Sequence, residues 1–243
     1  MANRIARLAS LVALVATLVM ISGAAAQGVG PTECSDGVDN DGDTRTDFGD
    51  DPGCDSPEDD DETDRCDING TPEADVIVGT DAREKICGRG GNDSITGNGG
   101  DDVIRGNGGQ DSLRGGSGSD TIRGGPGGDG LRGGSAGDLL RGGSAGDFIK
   151  GGSAGDMING GLGDDSLEGQ DGKDTILAGG GGDLSFGGSD NDRLRGGEGP
   201  DGLWGQSGND TVRGGSGDDF LYGGRGTDKC FGGPDRDRIR RCE

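Results

Sequence analysis

One residue type recurs in this chain at an interval suited to chemistry. Aspartate stands at Asp75 and then, every nine residues, at Asp93, Asp102, Asp111, Asp120, Asp129, Asp138, Asp147, Asp156, Asp165, Asp174, Asp183, Asp192, Asp201, Asp210, Asp219, Asp228 and Asp237; the single gap in the series is filled by Glu84. A second acidic set, Asp39, Asp41, Asp43, Asp47 and Asp50, falls at loop offsets 1, 3, 5, 9 and 12. Carboxylates at fixed spacing are hard oxygen donors, suited to divalent cations. The chain has no histidine, so histidine-based acid–base or nucleophilic catalysis is excluded. Zinc is poorly served for the same reason.

The acids belong to a repeat. In "GGSAGDLLRGGSAGDFIKGGSAGDMING" (133–160) a nonapeptide is written three times. With Gly133 as position 1, the acid is position 6 and an aliphatic residue is position 8. The frame runs without insertion from Gly70 to Arg240 and holds 19 copies. Position 6 is Asp in 18 copies, and position 8 is Ile, Leu or Val in 17, the exceptions being Ser185 and Cys230. A solvated spacer has no need of an aliphatic residue in strict phase, so the period marks a repeat architecture.

The repeat dictates the elements. Glycine-rich positions 1 to 5 suit a tight turn with positive φ, and positions 6 to 9 suit a short strand. Side chains alternate along a strand, so position 8 faces inward and positions 7 and 9 outward. Two nonapeptides then make one coil with a sheet on each side. Coils stack about 4.8 Å apart, which gives a roll roughly 45 Å long. Position 6 of each copy lies over position 6 of the next copy but one, forming two columns of acids. Two bare charges at that spacing repel by roughly 3 kcal/mol at an effective dielectric near 20. A cation between successive carboxylates reverses the sign, and turn carbonyls complete a set of oxygen ligands of the kind Ca²⁺ prefers. Mg²⁺ holds its waters and demands stricter geometry. Each site is expected to use the acids of copies n and n+2 with turn carbonyls, so folding and calcium binding are expected to be coupled.

"GGSGSDTIR" (115–123) and "GGSGDDFLY" (214–222) match G-G-x-G-x-D-x-U-x, where U is aliphatic. The chain thus resembles the repeats-in-toxin family over roughly seven-tenths of its length. The resemblance implies an all-β fold, a right-handed parallel β-roll over residues 70–240, with Ca²⁺ as cofactor bound in the turns. Members with protease, lipase or toxin activity carry it in domains this sequence does not show. Some copies depart from the pattern. Ala136, Ala145 and Ala154 replace the position-4 Gly and are expected to bind differently or weakly. Glu84 is one methylene too long for the column. Ser185, between Leu184 and Phe186, is expected to flip that copy or leave a defect.

The flanks read differently. Arg4 and Arg7 precede an apolar stretch from Leu8 to Ile21, and Ala24-Ala25-Ala26 precedes Gln27. This pattern reads as a secretory signal over residues 1–26, the apolar stretch being short for a membrane anchor. Its removal lowers Lys+Arg from 23 to 21 against 46 Asp+Glu, a net charge of −25. With this signal and no second apolar segment, the chain is expected to be secreted and extracellular, with no membrane span after signal removal, and its charge favours solubility and excludes a nucleic-acid partner. Residues 27–69 form an acidic leader. Its loop "CSDGVDNDGDTRTDFGDDPGC" (34–54) resembles an EF-hand or thrombospondin-type-3 calcium loop, departing from it at Thr44 and Asp50. "SPEDDDETD" (56–64) reads as a solvated acidic run.

Six cysteines allow 15 connectivities. The expected pairs are Cys34–Cys54 around the acidic loop, Cys66–Cys87 at the first coils, and Cys230–Cys242 at the end, where residues 241–243 form a C-terminal cap. On the outer surface, position 9 of one sheet carries Arg105, Arg123, Arg141, Arg195 and Arg213, expected to pair with neighbouring acids. Phe186, Trp204 and Tyr222 form a column on the other sheet, with Phe148, Leu184 and Phe220 at position 7. These aromatic residues are expected to stabilise the sheet; the alternative is a docking face for cell-wall glycan or another surface protein. No enzymatic activity is expected. The sequence reads as an exported calcium-binding β-roll with a structural or adhesive surface role, or as a non-catalytic recognition module.

Overall fold

The structure, a computed structural model, describes residues 66–243. Among these residues every regular element is a strand, and there are twenty. Two short strands open the series, β1 (Ile68–Asn69) and β2 (Val76–Val78). From β3 (Lys85–Gly90) to β18 (Phe220–Arg225) each strand is six residues long, and β19 (Lys229–Phe231) and β20 (Arg238–Arg240) close the stack. Odd-numbered strands form one ten-stranded sheet and even-numbered strands the other, each in sequence order. All pairings are parallel with a step of two nonapeptides: Ile149 pairs Leu131 on one side and Leu167 on the other. The chain is therefore a parallel β-solenoid of about ten turns, as the period of nine requires.

Position 8 builds the core. Each aliphatic residue from Ile86 to Leu221 at this position is at most 2% exposed, and together they form one continuous cluster. Cys230 and Ile68 pack against its ends. The strand boundary differs from the expected one. A strand covers positions 7 to 9 and continues through positions 1 to 3 of the next copy, as in Leu139–Ser144; only positions 4 to 6 turn. Alternation then sends positions 6, 8 and 1 inward together. The glycine at position 1 is thus an inward strand residue and not part of the turn.

Glycine at positions 2 and 4 answers a different demand, because both positions hold positive φ in the body of the roll, as at Gly134 (131°) and Gly127 (130°). Ala136, Ala145 and Ala154 hold φ of 79°, 77° and 79°, so the alanine copies keep the same left-handed turn as their glycine neighbours. An L-residue in the left-handed region costs about 1–2 kcal/mol, and glycine's extra freedom when unfolded offsets part of the gain from replacing it. The triple substitution Ala136→Gly, Ala145→Gly, Ala154→Gly is expected to stabilise the calcium-loaded roll by about 2 kcal/mol in total, read as a higher denaturant midpoint.

Ser185 does not flip its copy. It stays in register between Leu167 and Leu203, fully buried, with Leu184 47% exposed on the outer face. The cost falls on its hydroxyl: Oγ is buried without a hydrogen-bond partner. Ser185→Val removes an unsatisfied hydroxyl and restores the aliphatic column. It is expected to stabilise the roll by about 1–2 kcal/mol by the same measurement.

Both disulfides that lie within the described residues are present. Cys66–Cys87 ties the start of the roll to β3, and Cys230–Cys242 ties its end to β19. There the amide of Glu243 donates to the carbonyl of Asp228, 2.8 Å away, so the last residues cap an otherwise open carbonyl. Cys34 and Cys54 lie outside the described residues.

Candidate metal site in the aspartate columns

The inward turn of position 6 places the acids inside the roll. From Asp93 to Asp228 each is at most 4% exposed. Their first oxygens form a ladder: Oδ1 accepts from the backbone N–H of the acid one coil earlier. Asp147 Oδ1 accepts from Asp129 N and Asp165 Oδ1 from Asp147 N, each at 2.8 Å. The second column does the same, with Asp156 Oδ1 on Asp138 N and Asp174 Oδ1 on Asp156 N, again at 2.8 Å. The expected stacking of copies n and n+2 is present in both columns, and one oxygen of every rung is spent on holding it.

The second oxygens have no such use. In all sixteen aspartates from Asp93 to Asp228, Oδ2 is buried without a hydrogen-bond partner. Buried carboxylate oxygens are ordinarily paired or bound to a cation. Each Oδ2 faces position 1 of its own copy, which is glycine in every case but one. A Cβ on Gly133 would collide with Asp138 Oδ2 and stand 2.7 Å from the carbonyl oxygen of Gly151, one coil on. The same pair of oxygens flanks Gly142 and Gly151. Position 1 is glycine because carboxylate and carbonyl oxygens converge there. Ala178 is the exception, a fully buried methyl group in the copy of Asp183.

At the entrance the acids are satisfied by the chain itself. Asp75 Oδ2 accepts from Thr71 N (2.6 Å) and Thr71 Oγ1 (2.9 Å). Glu84 accepts from Thr80 N and Thr80 Oγ1, both at 2.7 Å. The extra methylene of Glu84 thus serves a local cap. Asp237, at the far end, is only half-buried.

Burial is the largest influence on the columns, raising the carboxyl pKa. Hydrogen bonds from backbone amides pull it down, and neighbouring carboxylates push it up again. The balance holds Asp120, Asp129 and Asp165 at about 6, Asp138, Asp147, Asp156 and Asp201 at about 7, and Asp192 at about 8. The interior disfavours bare charge, so a compensating cation has its greatest effect here.

Among the described residues no three Asp, Glu, Cys or His side chains converge on one point. A cation in the columns must therefore draw on backbone carbonyls, as a hard, oxygen-seeking ion does. Sixteen unpartnered carboxylate oxygens close to inward strand carbonyls fit Ca²⁺, and they do not fit an ion that needs nitrogen or sulfur. The RTX calcium-binding nonapeptide repeat, as a family description, matches the chain in overlapping blocks at residues 67–95, 78–113, 96–131, 132–166, 150–185, 186–220 and 204–239. The chain belongs to the RTX calcium-binding nonapeptide repeat family. No curated protein matches it. As an RTX chain it is a calcium-binding β-roll, and its repeats are of a structural, calcium-binding type.

The RTX roll also carries a second ladder that the nonapeptide pattern conceals. At position 5 a side chain accepts from the amide one coil on: Asn92 Oδ1 from Gln110 N (2.9 Å), Asp164 Oδ1 from Gly182 N (2.8 Å) and Asn209 Oδ1 from Thr227 N (2.8 Å). Position 6 reaches one coil back and position 5 one coil forward, so the two ladders bind each turn from both sides. The sequence signal is the Asn or Asp at position 5 of some copies, which reads as a free position until the register is known.

The outer aromatic residues form a stack. Phe186 and Trp204 lie nearly parallel with centroids 4.9 Å apart, and Phe220 meets Trp204 at 5.6 Å. Trp204 also covers Gly202, where a Cβ would stand 2.7 Å from the indole. The ring faces are thus turned on one another along the roll. Trp204→Ala removes two aromatic contacts and is expected to cost about 2 kcal/mol of stability, measured by denaturant unfolding in calcium. The outer cations do not follow one rule: Lys150 pairs with Glu168 at 2.7 Å, whereas Arg213, expected to pair with an acid, lies over the Phe231 ring at 4.8 Å. The acidic loop with Asp39, Asp41, Asp43, Asp47 and Asp50 lies outside the described residues.

Proposed function

We propose that the two columns from Asp93 to Asp228 are the calcium sites of the roll and that the protein is an exported structural element of the cell surface, rigid only where calcium is present. One observation carries the reading: sixteen buried Oδ2 atoms without hydrogen-bond partners, in two regular columns inside the roll. Bound calcium supplies the positive charge that makes these carboxylates compatible with burial. The chain's own residues do the rest. The Oδ1 ladder fixes the spacing of the columns, position 1 leaves room for the converging oxygens, and position 8 excludes water from the centre of each coil.

Asp75 and Glu84 are already satisfied by Thr71 and Thr80, so the calcium-binding part of the roll begins at Asp93. The loop from Asp39 to Asp50 is proposed as a separate calcium site. Residues 1–26 read as the export signal, so the processed chain begins at Gln27; its −25 charge suits a soluble secreted protein with calcium partners, and a roll stiffened by calcium suits a structural or adhesive role.

Equilibrium dialysis of the processed chain against calcium tests the column reading. Several ions are expected per chain, saturating at millimolar calcium. Replacing Asp129, Asp147 and Asp165 by Asn is expected to lower the count, whereas Thr71→Ala is not. An uptake unchanged by the triple replacement would refute the assignment.

A further inference from the structure

The outer face of the even-numbered sheet has a groove of about 290 Å³ that the calcium reading does not use. Ser94, Thr96, Ser112, Arg114, Arg132 and Phe148 line it. They come from β4 (Ser94–Gly99), β6 (Ser112–Ser117), β8 (Gly130–Ser135) and β10 (Phe148–Ser153). The groove exists because position 7 of β8 is glycine: Gly130 stands in register between Ser112 and Phe148 and leaves the space between them open. On one side Arg114 and Arg132 are direct cross-strand partners, both exposed. Like charges paired across strands are destabilising, and among the described residues no carboxylate pairs with either.

The distribution of charge sets when this face can act. Residues 66–243 hold 19 Lys and Arg and 31 Asp and Glu. Sixteen of those acids, the aspartates from Asp93 to Asp228, are the buried columns, which leaves fifteen outside them. Once the columns are neutralised, the rest of the roll carries a surplus of four positive charges. With the columns bare, the roll repels anions; with them filled, it attracts them within a Debye length of about 8 Å at physiological salt.

We infer that this groove binds a linear anionic polysaccharide, carboxylated or sulfated, lying along the roll axis. The inference rests on the calcium reading of the columns, since it needs their charge removed. Paired guanidinium forks suit planar or tetrahedral anions, which they bind bidentately. The hydroxyls of Ser94, Thr96 and Ser112 match sugar hydroxyls, and Phe148 offers an apolar wall to a sugar ring. Arginines on successive coils suit a polymer with an anion on each successive unit. An acidic peptide is served less well, because the groove lies in mid-sheet, where no strand edge is open for main-chain pairing.

The test is calorimetry of the processed chain in millimolar calcium with dextran sulfate and carboxymethyl dextran, neutral dextran being the control. Binding of both anionic polymers and not of dextran is expected. Arg114→Gln with Arg132→Gln is expected to weaken it at least tenfold with an unchanged far-ultraviolet spectrum. Arg238→Gln with Arg240→Gln, which removes the same charge at the end of the roll, is expected to leave it within twofold. Equal losses in the two double variants would reduce the effect to net charge and overturn the inference. So would a calcium-folded chain that binds neither polymer, an outcome that leaves the column reading standing; protection of residues 27–65 from hydrogen exchange in that chain would assign the groove to the acidic leader. A chain that takes up no calcium would sink the column reading and this inference together.

Discussion

Stripping calcium from the folded chain with a chelator is expected to abolish most of its β-sheet circular dichroism, and millimolar calcium is expected to restore it. The reason lies in how little else holds the coils together. Most nonapeptides bury a single aliphatic side chain, while glycine at positions 1, 2 and 4 raises the entropy lost on ordering. Against that, successive carboxylates in each column repel by roughly 3 kcal/mol per step at an effective dielectric near 20, and sixteen buried oxygens lack a partner. Each site at tenfold excess over its dissociation constant returns about 1.4 kcal/mol to the folded state, and the sites are many. The transition should be cooperative, with a midpoint that moves steeply with free calcium, because each ion stiffens the coil that forms the next site. The disulfides do not alter the outcome: Cys66–Cys87 and Cys230–Cys242 clamp the two ends and leave coils from Ile95 to Val212 without a covalent tie. A spectrum indifferent to chelation would mean that the solenoid is held by hydrogen bonds and aliphatic contacts alone.

The features legible in the sequence are those fixed by phase. The step of two nonapeptides, the inward position 8, the two acid columns and the aromatic column at Phe186, Trp204 and Tyr222 all follow from counting, because a parallel solenoid turns sequence period directly into spatial neighbours. What stays hidden depends on atoms meeting across coils. Glycine at position 1 looks like turn glycine from composition, yet it is a strand residue whose missing Cβ makes room for the Asp138 carboxylate and the Gly151 carbonyl. Counting puts the acids in columns, but their burial to a few per cent exposure is a matter of how the coils close over them, which spacing does not give. Ala136 breaks the glycine pattern, yet its backbone keeps the left-handed φ of the neighbouring glycine turns, which the residue type alone does not tell. Ser185 reads as a flip or a defect, and it is the defect: a buried orphan hydroxyl held in place by its neighbours in register. The position-5 ladder leaves almost no trace in the sequence, since Asn92, Asp164 and Asn209 share a role without sharing a strict residue type.

Acid is expected to replace calcium in part. Burial keeps Asp120, Asp129 and Asp165 near 6, Asp138, Asp147, Asp156 and Asp201 near 7 and Asp192 near 8 in the folded roll, against 3.8 for an ordinary Asp carboxyl. A raised folded-state value means that the metal-free roll binds more protons than the unfolded chain between about pH 4 and pH 8. The stability these protons contribute is fully present below the unfolded value and is lost as pH rises through the folded ones. Metal-free chain should therefore show more β structure near pH 5 than near pH 8, the change centring between about 6 and 8. Calcium reverses the trend because proton and ion compete for the same carboxylates, so calcium affinity falls as pH is lowered. Two circular-dichroism series on the same preparation, one metal-free and one in millimolar calcium, separate these effects. They should diverge at pH 8 and converge towards pH 5. Substituting Asn for Asp138, Asp156 and Asp192 mimics the protonated column without acid and should raise the β content of the metal-free chain at pH 8. If the metal-free chain instead gained structure with rising pH, buried charge would be stabilising the roll and the columns would need no cation.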